Sequence, residues 1–278
     1  MNALISLTER EIKKWYRRKV AIVFTFITPL FWLALFGKSF NLYTLFRTPS
    51  NLPPEIVQIV QKTIDSIILG AFGTKDYFTF IATGMFTVFI LFSSMFSGMS
   101  LIFDRRLGFL NRLLVAPIRR ETIFFSRVLA SVVRSILQFT GLFIMALALG
   151  INFGEGFGAI HVILLYLNLA LVSLVFSNIF ISMMIRVSEH DTAISLANLL
   201  NLPLMFASNS LFPKDQMPDW LRIIAEINPI THSNKIVRTL IIDASLQLPL
   251  DSLSYLLILA ILSTFMGFAL SRKYLKHI

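Results

Sequence analysis

The amino-acid sequence predicts an all-α membrane protein in which six helices cross the bilayer. Hydrophobic residues make up 56% of the 278 positions and charged residues only 14%, whereas soluble domains carry about 25% charged residues. The apolar residues are gathered in long uncharged runs, close to the length that a helix needs to cross the hydrocarbon core. The chain has no cysteine, which excludes disulfides, cysteine metal sites and a thiol nucleophile.

The basic residues indicate how the chain is oriented. The formal net charge is +10, but the Lys and Arg residues flank apolar runs, so membrane orientation explains them better than nucleic-acid binding. With both termini in the cytosol, the inner segments hold 17 of the 25 Lys and Arg residues, although the outer segments are much longer. This bias predicts an even number of spans and cytosolic termini.

Residues 1–19 are predicted to form an amphipathic helix in the membrane interface. Its apolar face ends in Trp15 and Tyr16, and its opposite face carries Arg10, Lys13 and Lys14. Trp and Tyr are typical of the headgroup level. A plain basic flank of the first span is a compatible alternative. The long basic region and the lack of a small-residue cleavage site argue against a cleavable signal.

The six predicted spans are separated by short loops and two long polar segments. They cover residues 20–36, 77–103, 135–153, 162–185, 192–212 and 253–271. The third belongs to a longer helix over 123–153. Residues 38–76 and 213–251 are predicted to lie outside the membrane on the external side. In the second of these, Trp220–Ile227 is amphipathic but too short to cross, which predicts a re-entrant or interfacial hairpin. Its marker residues are Pro213, Pro218, Trp220, Asn228 and Pro229.

A charged stretch between the second and third spans predicts a cytosolic helix over 104–117. At 100° per residue one face is apolar and the other is polar but bears an aromatic ring. The apolar face holds Phe103, Leu107, Leu110 and Leu114, and the polar face holds Arg105, Gly108, Phe109 and Arg112. Pro117 ends the helix. We expect this helix to lie at the membrane surface and to dock onto a partner protein.

Two arginines interrupt the cytosolic half of the third span. Arg127 and Arg134 share a polar stripe with Ser131 and Gln138. Charges at such depth must face protein, water or lipid phosphates. Snorkelling to the headgroups is the favoured interpretation for Arg127, whereas Arg134 lies deeper and is less easily explained in this way.

A second polar stripe runs along the fifth span and is a candidate substrate path. Its members recur at steps of three or four residues: Ser195, Asn198, Asn201, Met205, Ser208 and Asn209. Such residues face other helices or a cavity. Hydrogen bonding between helices alone is the equal alternative. Ser94 and Ser97 of the second span complete the candidate path.

Three short motifs that resemble ligand sites are set aside. Gly37-Lys38-Ser39 resembles the end of a phosphate-binding loop, but Trp32 stands where the first glycine is required. Residues 154–159 nominally fit a dinucleotide fingerprint but follow a membrane helix, so they predict a tight external turn. Glu189-His190-Asp191 are adjacent residues in a short loop, which is poor geometry for a metal.

Two longer patterns resemble the permeases of ABC-2 type transporters. The cytosolic stretch Asp104-Arg105-Arg106-Leu107-Gly108-Phe109-Leu110…Leu113-Leu114…Pro117 resembles the family's motif at this place, with Arg106 replacing an acid and Phe109 replacing threonine. The region from Pro203 to Arg238 resembles a second, more specific motif. Its matching residues are Pro203, Phe206, Ser208, Phe212, Pro213, Met217, Pro218, Trp220, Leu221, Asn228, Pro229, Thr231 and Arg238. The order of spans and external segments agrees over nearly the whole chain.

The resemblance implies one half of an ATP-driven exporter in the cell membrane. Two permease chains, identical or related, would face each other among membrane lipids and be served by two copies of a separate ATP-binding subunit. ATP and Mg²⁺ would bind that subunit, and neither a cofactor nor a nucleic acid would bind this chain. The coupling residues would be Asp104, Arg105, Arg106, Gly108, Phe109, Arg112 and Pro117, with Phe109 in a cleft on the ATPase.

The transported compound is expected to be amphipathic or apolar, either drug-like or lipid-linked. A polysaccharide or lipid-linked glycan is the alternative. An ion-coupled transporter usually needs membrane-buried carboxylates and often has inverted repeats, and neither is visible here. An intramembrane enzyme would need convergent acids or histidines at membrane depth, and the middles of the spans contain none.

Overall fold

The computed structural model describes residues 2–38 and 54–275, and this part of the chain is helical without a strand. The predicted all-α class is confirmed. The helices are α1 Asn2–Tyr16, α2 Lys19–Trp32, α3 Pro54–Phe72, α4 Tyr77–Arg106, α5 Phe109–Val115, α6 Arg120–Ala148, α7 Ala159–Met184, α8 His190–Phe206, α9 Asp219–Ile227, α10 Pro229–Ile241 and α11 Leu250–Tyr274. A π-helical segment, Leu33–Lys38, continues α2.

Four stretches are long and apolar enough to cross a membrane: Ile56–Arg106, Arg120–Ala148, Ala159–Met184 and Leu250–Tyr274. The stretch Ile56–Arg106 contains α4 together with most of α3. The other two predicted spans correspond to the shorter helices α2 and α8, so the count of six stays a prediction. Residues 39–53 of the predicted external segment 38–76 lie outside the described residues.

Local chemistry explains where several helices begin and end. Asp76 accepts hydrogen bonds from the amides of Phe78 and Thr79 and so caps the start of α4. α6 ends at Ala148, short of the predicted residue 153, because Gly150 has a φ of +84°. α8 ends at Phe206 instead of 212. Pro203 lies in its last turn and cannot donate a helical hydrogen bond.

The predicted continuous helix over 104–117 is wrong in its boundaries. α4 runs through to Arg106, and the separate short helix α5 begins at Phe109. Gly108 joins them with a φ of +68°, a left-handed conformation that is costly for residues with a side chain. The chain therefore changes direction at Gly108, and the residues before and after it do not share one helical phase.

The central helix α7 packs against α4, α6, α10 and α11. Serine side chains connect it to its neighbours at close range. Ser173 donates to Ser135, which donates to Ser93, and Ser177 donates to Ser131. All five are buried. Small hydroxyl residues let helices approach closely and satisfy each other's polar groups where no water is present.

The loop after α8 approaches the backbone of α4 at Gly84. A Cβ built on Gly84 would lie 2.3 Å from the carbonyl oxygen of Ser210. Only hydrogen in place of a side chain allows this approach. By contrast, a Cβ on Gly70 of α3 would meet nothing within 4 Å.

Gly84→Ala is expected to destabilise the protein by about 1–3 kcal/mol, because the added methyl group overlaps a backbone atom that a rotamer change cannot move. Thermal unfolding of the purified protein in detergent measures the effect. Gly70→Ala is the matched control and should stabilise the protein by up to about 1 kcal/mol, because alanine favours a helix over glycine. Equal melting temperatures for Gly84→Ala and the unchanged protein would contradict the close approach.

Candidate functional site: a buried charge cluster beside an aromatic cavity

Five charged residues meet where α1, α4 and α6 converge, and we call them the charge cluster: Arg10, Glu11, Lys14, Asp104 and Arg127. Asp104 is 1% exposed and lies 2.7 Å from Arg127 Nη2, 2.8 Å from Lys14 Nζ and 3.2 Å from Arg10 Nη1. Glu11 lies 2.7 Å from Arg10 Nη1 and 3.8 Å from Arg127 Nη1. Two carboxylates are thus shared among three cations.

The cluster corrects the snorkelling interpretation of Arg127. Its side chain is 3% exposed, donates to Asp104 and also hydrogen-bonds the hydroxyl of Ser100. The polar stripe of α6 does not by itself reveal that Asp104, on α4, lies opposite it. A second unpredicted contact is that α1 packs along α6, where the Thr8 hydroxyl donates to the backbone carbonyl of Ser126.

The residues exposed on α5 and its junction with α4 differ from the predicted polar face. The Phe109 ring is partly buried, and the Arg10 guanidinium lies 3.4 Å from its centroid, a cation–π contact. Leu110 and Leu114 are buried as predicted, but Leu107 is 74% exposed, because the break at Gly108 separates it from the apolar face of α5. Val115 is 87% exposed. The exposed set at this end is Arg106, Leu107, Asn111, Arg112, Val115 and Pro117.

Arg105 connects the end of α4 to the loop between α7 and α8. Its guanidinium donates to the carbonyl oxygens of Val187 at 2.5 Å and Ile185 at 2.6 Å. These carbonyls follow the last turn of α7, where backbone acceptors lack helical partners. The segment that leads into α5 is therefore attached both to α1, through Arg10, and to the loop that follows α7, through Arg105.

A cavity of about 600 Å³ opens between α1, α2, α4, α6 and α8. Its wall is mainly aromatic. Ten aromatic side chains line it: Trp15, Phe26, Trp32, Phe86, Phe89, Phe92, Phe96, Phe103, Phe139 and Phe206. Four charged side chains also line it. Glu11 and Lys14 belong to α1, Arg18 follows α1, and Arg134 belongs to α6. Glu11 and Lys14 also belong to the charge cluster, which therefore forms part of the cavity wall.

Arg134 lies on the same helix as Arg127, about two turns further along α6. Its Nη2 donates to the Ser97 hydroxyl at 2.6 Å and to the Ser93 carbonyl at 2.9 Å. Within the described residues no carboxylate oxygen lies within 4 Å of its guanidinium nitrogens. Arg127 is thus neutralised by the protein, whereas Arg134 is held by neutral acceptors.

The candidate path residues of the fifth span differ in their exposure. Met205 is buried and lines the cavity, and Asn201 is buried with its amide directed at the Met95 sulfur. Asn198 and Ser195 are exposed. Ser208 is buried in a local bond to Ser210. On α4, the Ser97 hydroxyl accepts a hydrogen bond from Arg134. Ser94 is buried, and its hydroxyl has no hydrogen-bond partner among the described residues.

Among the marker residues of the segment 213–251, Asn228 makes the polar contacts that join this segment to α8. Its side-chain oxygen caps α10, and its amide donates to the carbonyls of Leu204 at 2.7 Å and Ala207 at 2.6 Å, near the end of α8. Pro229 follows in the first turn of α10. Pro213 is buried, while Pro218 and Trp220 are exposed. At the surface nearby, a hydrogen bond from Lys214 lowers the pKa of Glu226.

α10 carries a partly buried arginine that, like Arg134, contacts neutral acceptors. Arg238 Nη2 donates to the carbonyl of Asn209 at 2.7 Å, and its guanidinium lies 3.7 Å from the Phe80 centroid. Asn234 donates to Asn209 and Ser210. Sequence reasoning missed Asn234, whose helical spacing to Ile230 and Arg238 could have indicated that it faces the same neighbours.

Comparison with known proteins adds family information to this geometry. The family model described as ABC-2 type transporter matches residues 2–242. The chain is 32% identical to the putative transport permease ycf38 of Cyanophora paradoxa, over 99% of this chain and 89% of the relative. It is 24% identical to the daunorubicin resistance ABC transporter permease protein DrrB1 of Streptomyces coeruleorubidus, over 69% and 70% of the two chains. The probable multidrug ABC transporter permease YbhR of Escherichia coli is 26% identical, over 71% and 53%.

Removing either partner of the Asp104–Arg127 pair is expected to destabilise the protein by about 3–5 kcal/mol, because the remaining charge stays buried without its counter-ion. Asp104→Asn, Arg127→Gln and the double variant form a cycle that thermal unfolding in detergent can measure. The double variant should lose clearly less than the two single losses together.

The exposed pair Glu9–Lys13 serves as the control for this cycle, since its nitrogen and oxygen are 2.6 Å apart but both side chains are more than half exposed. Glu9→Gln should leave the melting temperature nearly unchanged. Strictly additive losses at Asp104 and Arg127 would contradict a direct buried pair.

Proposed function

The chain belongs to the ABC-2 type transporter family, and on this premise we propose that it is the membrane-spanning permease subunit of an ATP-driven exporter. Members of this family work with ATP-binding subunits, and their membrane subunit lacks a nucleotide-binding domain. We propose that two ATPase copies serve two permease chains and that ATP and Mg²⁺ bind the ATPase. Both termini of the permease would be cytosolic, and α2 and α8 would complete six spans.

The observation that carries this proposal is the exposed apolar pair on the short helix α5 and its junction. Leu107 and Val115 are largely exposed beside the exposed Arg106 and Arg112. Large apolar side chains exposed beside charged residues are typical of surfaces that bind another protein, and arginines are common among the residues that dominate binding energy. Arg105 and Arg10 attach this surface to the loop after α7 and to α1, so movement of a bound ATPase would reach the cavity wall.

We propose that the substrate passes along the faces of α4 and α8, where Met205 and Asn201 lie. The aromatic lining favours an amphipathic or apolar compound, and the daunorubicin resistance permease among the relatives agrees with a drug-like substrate. A polysaccharide or lipid-linked glycan, the alternative that the family resemblance implies, is the second candidate. The pair α9 and α10 would form the re-entrant hairpin on the external side.

ATP-dependent transport tests the function. The permease is co-expressed with a candidate ATP-binding subunit from the same genome, and uptake of a fluorescent amphipathic dye is measured in inside-out vesicles. Uptake is expected with ATP and expected to vanish with an ATPase variant that cannot hydrolyse ATP. Transport by the permease alone, driven by an imposed proton or sodium gradient, would instead support an ion-coupled carrier and contradict the proposal.

Leu107→Asp is expected to weaken binding of the ATPase subunit by at least about tenfold, because a charge replaces an apolar contact at the docking surface. Leu250→Asp is the matched control: Leu250 is 76% exposed but begins α11 on the proposed external side. Affinity is measured by pull-down titration of the detergent-solubilised subunits. Equal affinities of the two variants would remove Leu107 from the docking surface.

Phe109→Ala separates the two interpretations of the aromatic ring. If the ring mainly supports Arg10, the variant lowers the melting temperature of the permease alone and binds the ATPase nearly as well as the unchanged protein. If the ring fills a cleft on the ATPase, affinity falls while the melting temperature of the isolated permease is kept.

A further inference from the structure

The cavity beside the charge cluster has one polar end and an aromatic body. Its volume of about 600 Å³ is in the range of pockets that enclose a drug-sized ligand. The aromatic side chains of α4, α6 and α8 surround most of it, and the charged side chains are contributed by α1, by Arg18 just after it and by Arg134. A ligand that fills it must combine an extended apolar part with a polar group at one end.

The charge at the polar end is positive. Of the four charged residues in the wall, Glu11 alone is acidic, and it lies within ion-pair distance of Arg10 and Arg127 outside the cavity lining. Lys14 is paired with Asp104. Arg134 and Arg18 have no carboxylate within 4 Å among the described residues. The cavity wall therefore contains two cations that make no direct ion pair with a carboxylate of the described residues.

Arg134 is the more informative of the two. Ser97 and Ser93 hold its Nη2 in place from the α4 side. A guanidinium has five N–H donors, and the acceptors that Arg134 contacts directly are both neutral. A cation between apolar helices is costly without an anion. An anionic group in the cavity would supply the missing partner, and a planar carboxylate or a phosphate matches the donor fork of arginine.

We propose that this cavity binds an amphiphile with a single apolar tail and an anionic head group, carboxylate or phosphate, whose head contacts Arg134 and Arg18. Its tail packs among the phenylalanines of α4 and α6. That the bound amphiphile is also the transported compound rests on the proposed function, whereas its binding does not. The limited volume favours one tail over the two tails of a bilayer phospholipid.

Tryptophan fluorescence provides a direct readout. Trp15 and Trp32 line the cavity, and the remaining tryptophan, Trp220, is 65% exposed on α9. In a Trp220→Phe background, the full chain is placed in lipid nanodiscs and titrated with 9,10-dibromostearate, whose bromine atoms quench nearby indoles. Saturable quenching is expected. Stearate and hexadecyl phosphate should reverse it, which also ranks the two head groups, whereas hexadecyltrimethylammonium should not.

Arg134→Gln is expected to weaken dibromostearate binding by about tenfold or more, the loss of one charge-assisted contact, and Arg134→Lys should restore part of the affinity. Arg18→Gln should weaken binding severalfold. Because the Arg18 side chain is exposed and makes no ion pair among the described residues, this variant should fold normally and keeps the test valid if the Arg134 variant misfolds. Arg272→Gln removes the same charge at an exposed site outside the cavity lining and should leave affinity unchanged.

Competition by hexadecyltrimethylammonium as strong as that by stearate would overturn the proposal, as would equal affinities of the Arg134→Gln, Arg18→Gln and Arg272→Gln variants. Non-saturable quenching, which reports partition into the bilayer only, would overturn it as well. Because the titration needs neither ATP nor the ATPase, these outcomes leave the proposed exporter function untouched. Failure of ATP-dependent dye uptake, conversely, would contradict the exporter and leave the binding result standing.

Discussion

The buried ion pair between Asp104 and Arg127 constrains this end of the structure more than any apolar contact does. A carboxylate at 1% exposure between membrane helices must have cations around it. Arg127 supplies one from α6, and Lys14 and Arg10 supply two from α1. The requirement therefore determines which face of α1 turns inward and fixes the register between α4 and α6. Held in this way, α1 contributes Glu11, Lys14 and Trp15 to the wall of the aromatic cavity that α2, α4, α6 and α8 complete.

Elsewhere the bundle depends on small side chains. The serines of α4, α6 and α7 form one chain of three hydrogen-bonded hydroxyls and one separate pair, and Gly84 admits the loop after α8 against the backbone of α4. In a bilayer the lipid is as apolar as the helices, so close packing and satisfied hydroxyls replace the hydrophobic effect as the source of association. Larger residues in place of these serines would separate α7 from α4 and α6.

Much of the architecture was predictable from the sequence because hydropathy and basic flanks are local signals. The helical class and the four longest apolar stretches follow from runs of residues that need no partner to be recognised. The partner of Arg127 was not predictable, because Asp104 is 23 residues away and on another helix. The face of Leu107 was assigned wrongly, because a helical periodicity does not reveal that Gly108 takes a positive φ. The different exposure of Asn198 and Asn201 was not predictable for a related reason. Both residues lie on one stripe of α8, and only the packing of this helix decides which of them is buried.

The charge cluster contacts α5 at one side and lines the cavity at the other, which bears on how the proposed docking surface and the cavity could communicate. Arg10 covers the Phe109 ring at the start of α5 and pairs with Glu11 and Asp104. Glu11 and Lys14 in turn form the polar end of the cavity. A displacement of α5 by a bound ATPase would pull on Arg10, and α1 cannot shift without moving Glu11 and Lys14 relative to Arg134. In the exporter proposed here, the charge cluster would thus be the shortest physical connection between ATPase movement and the head-group end of the cavity, and no separate relay through the bundle is required.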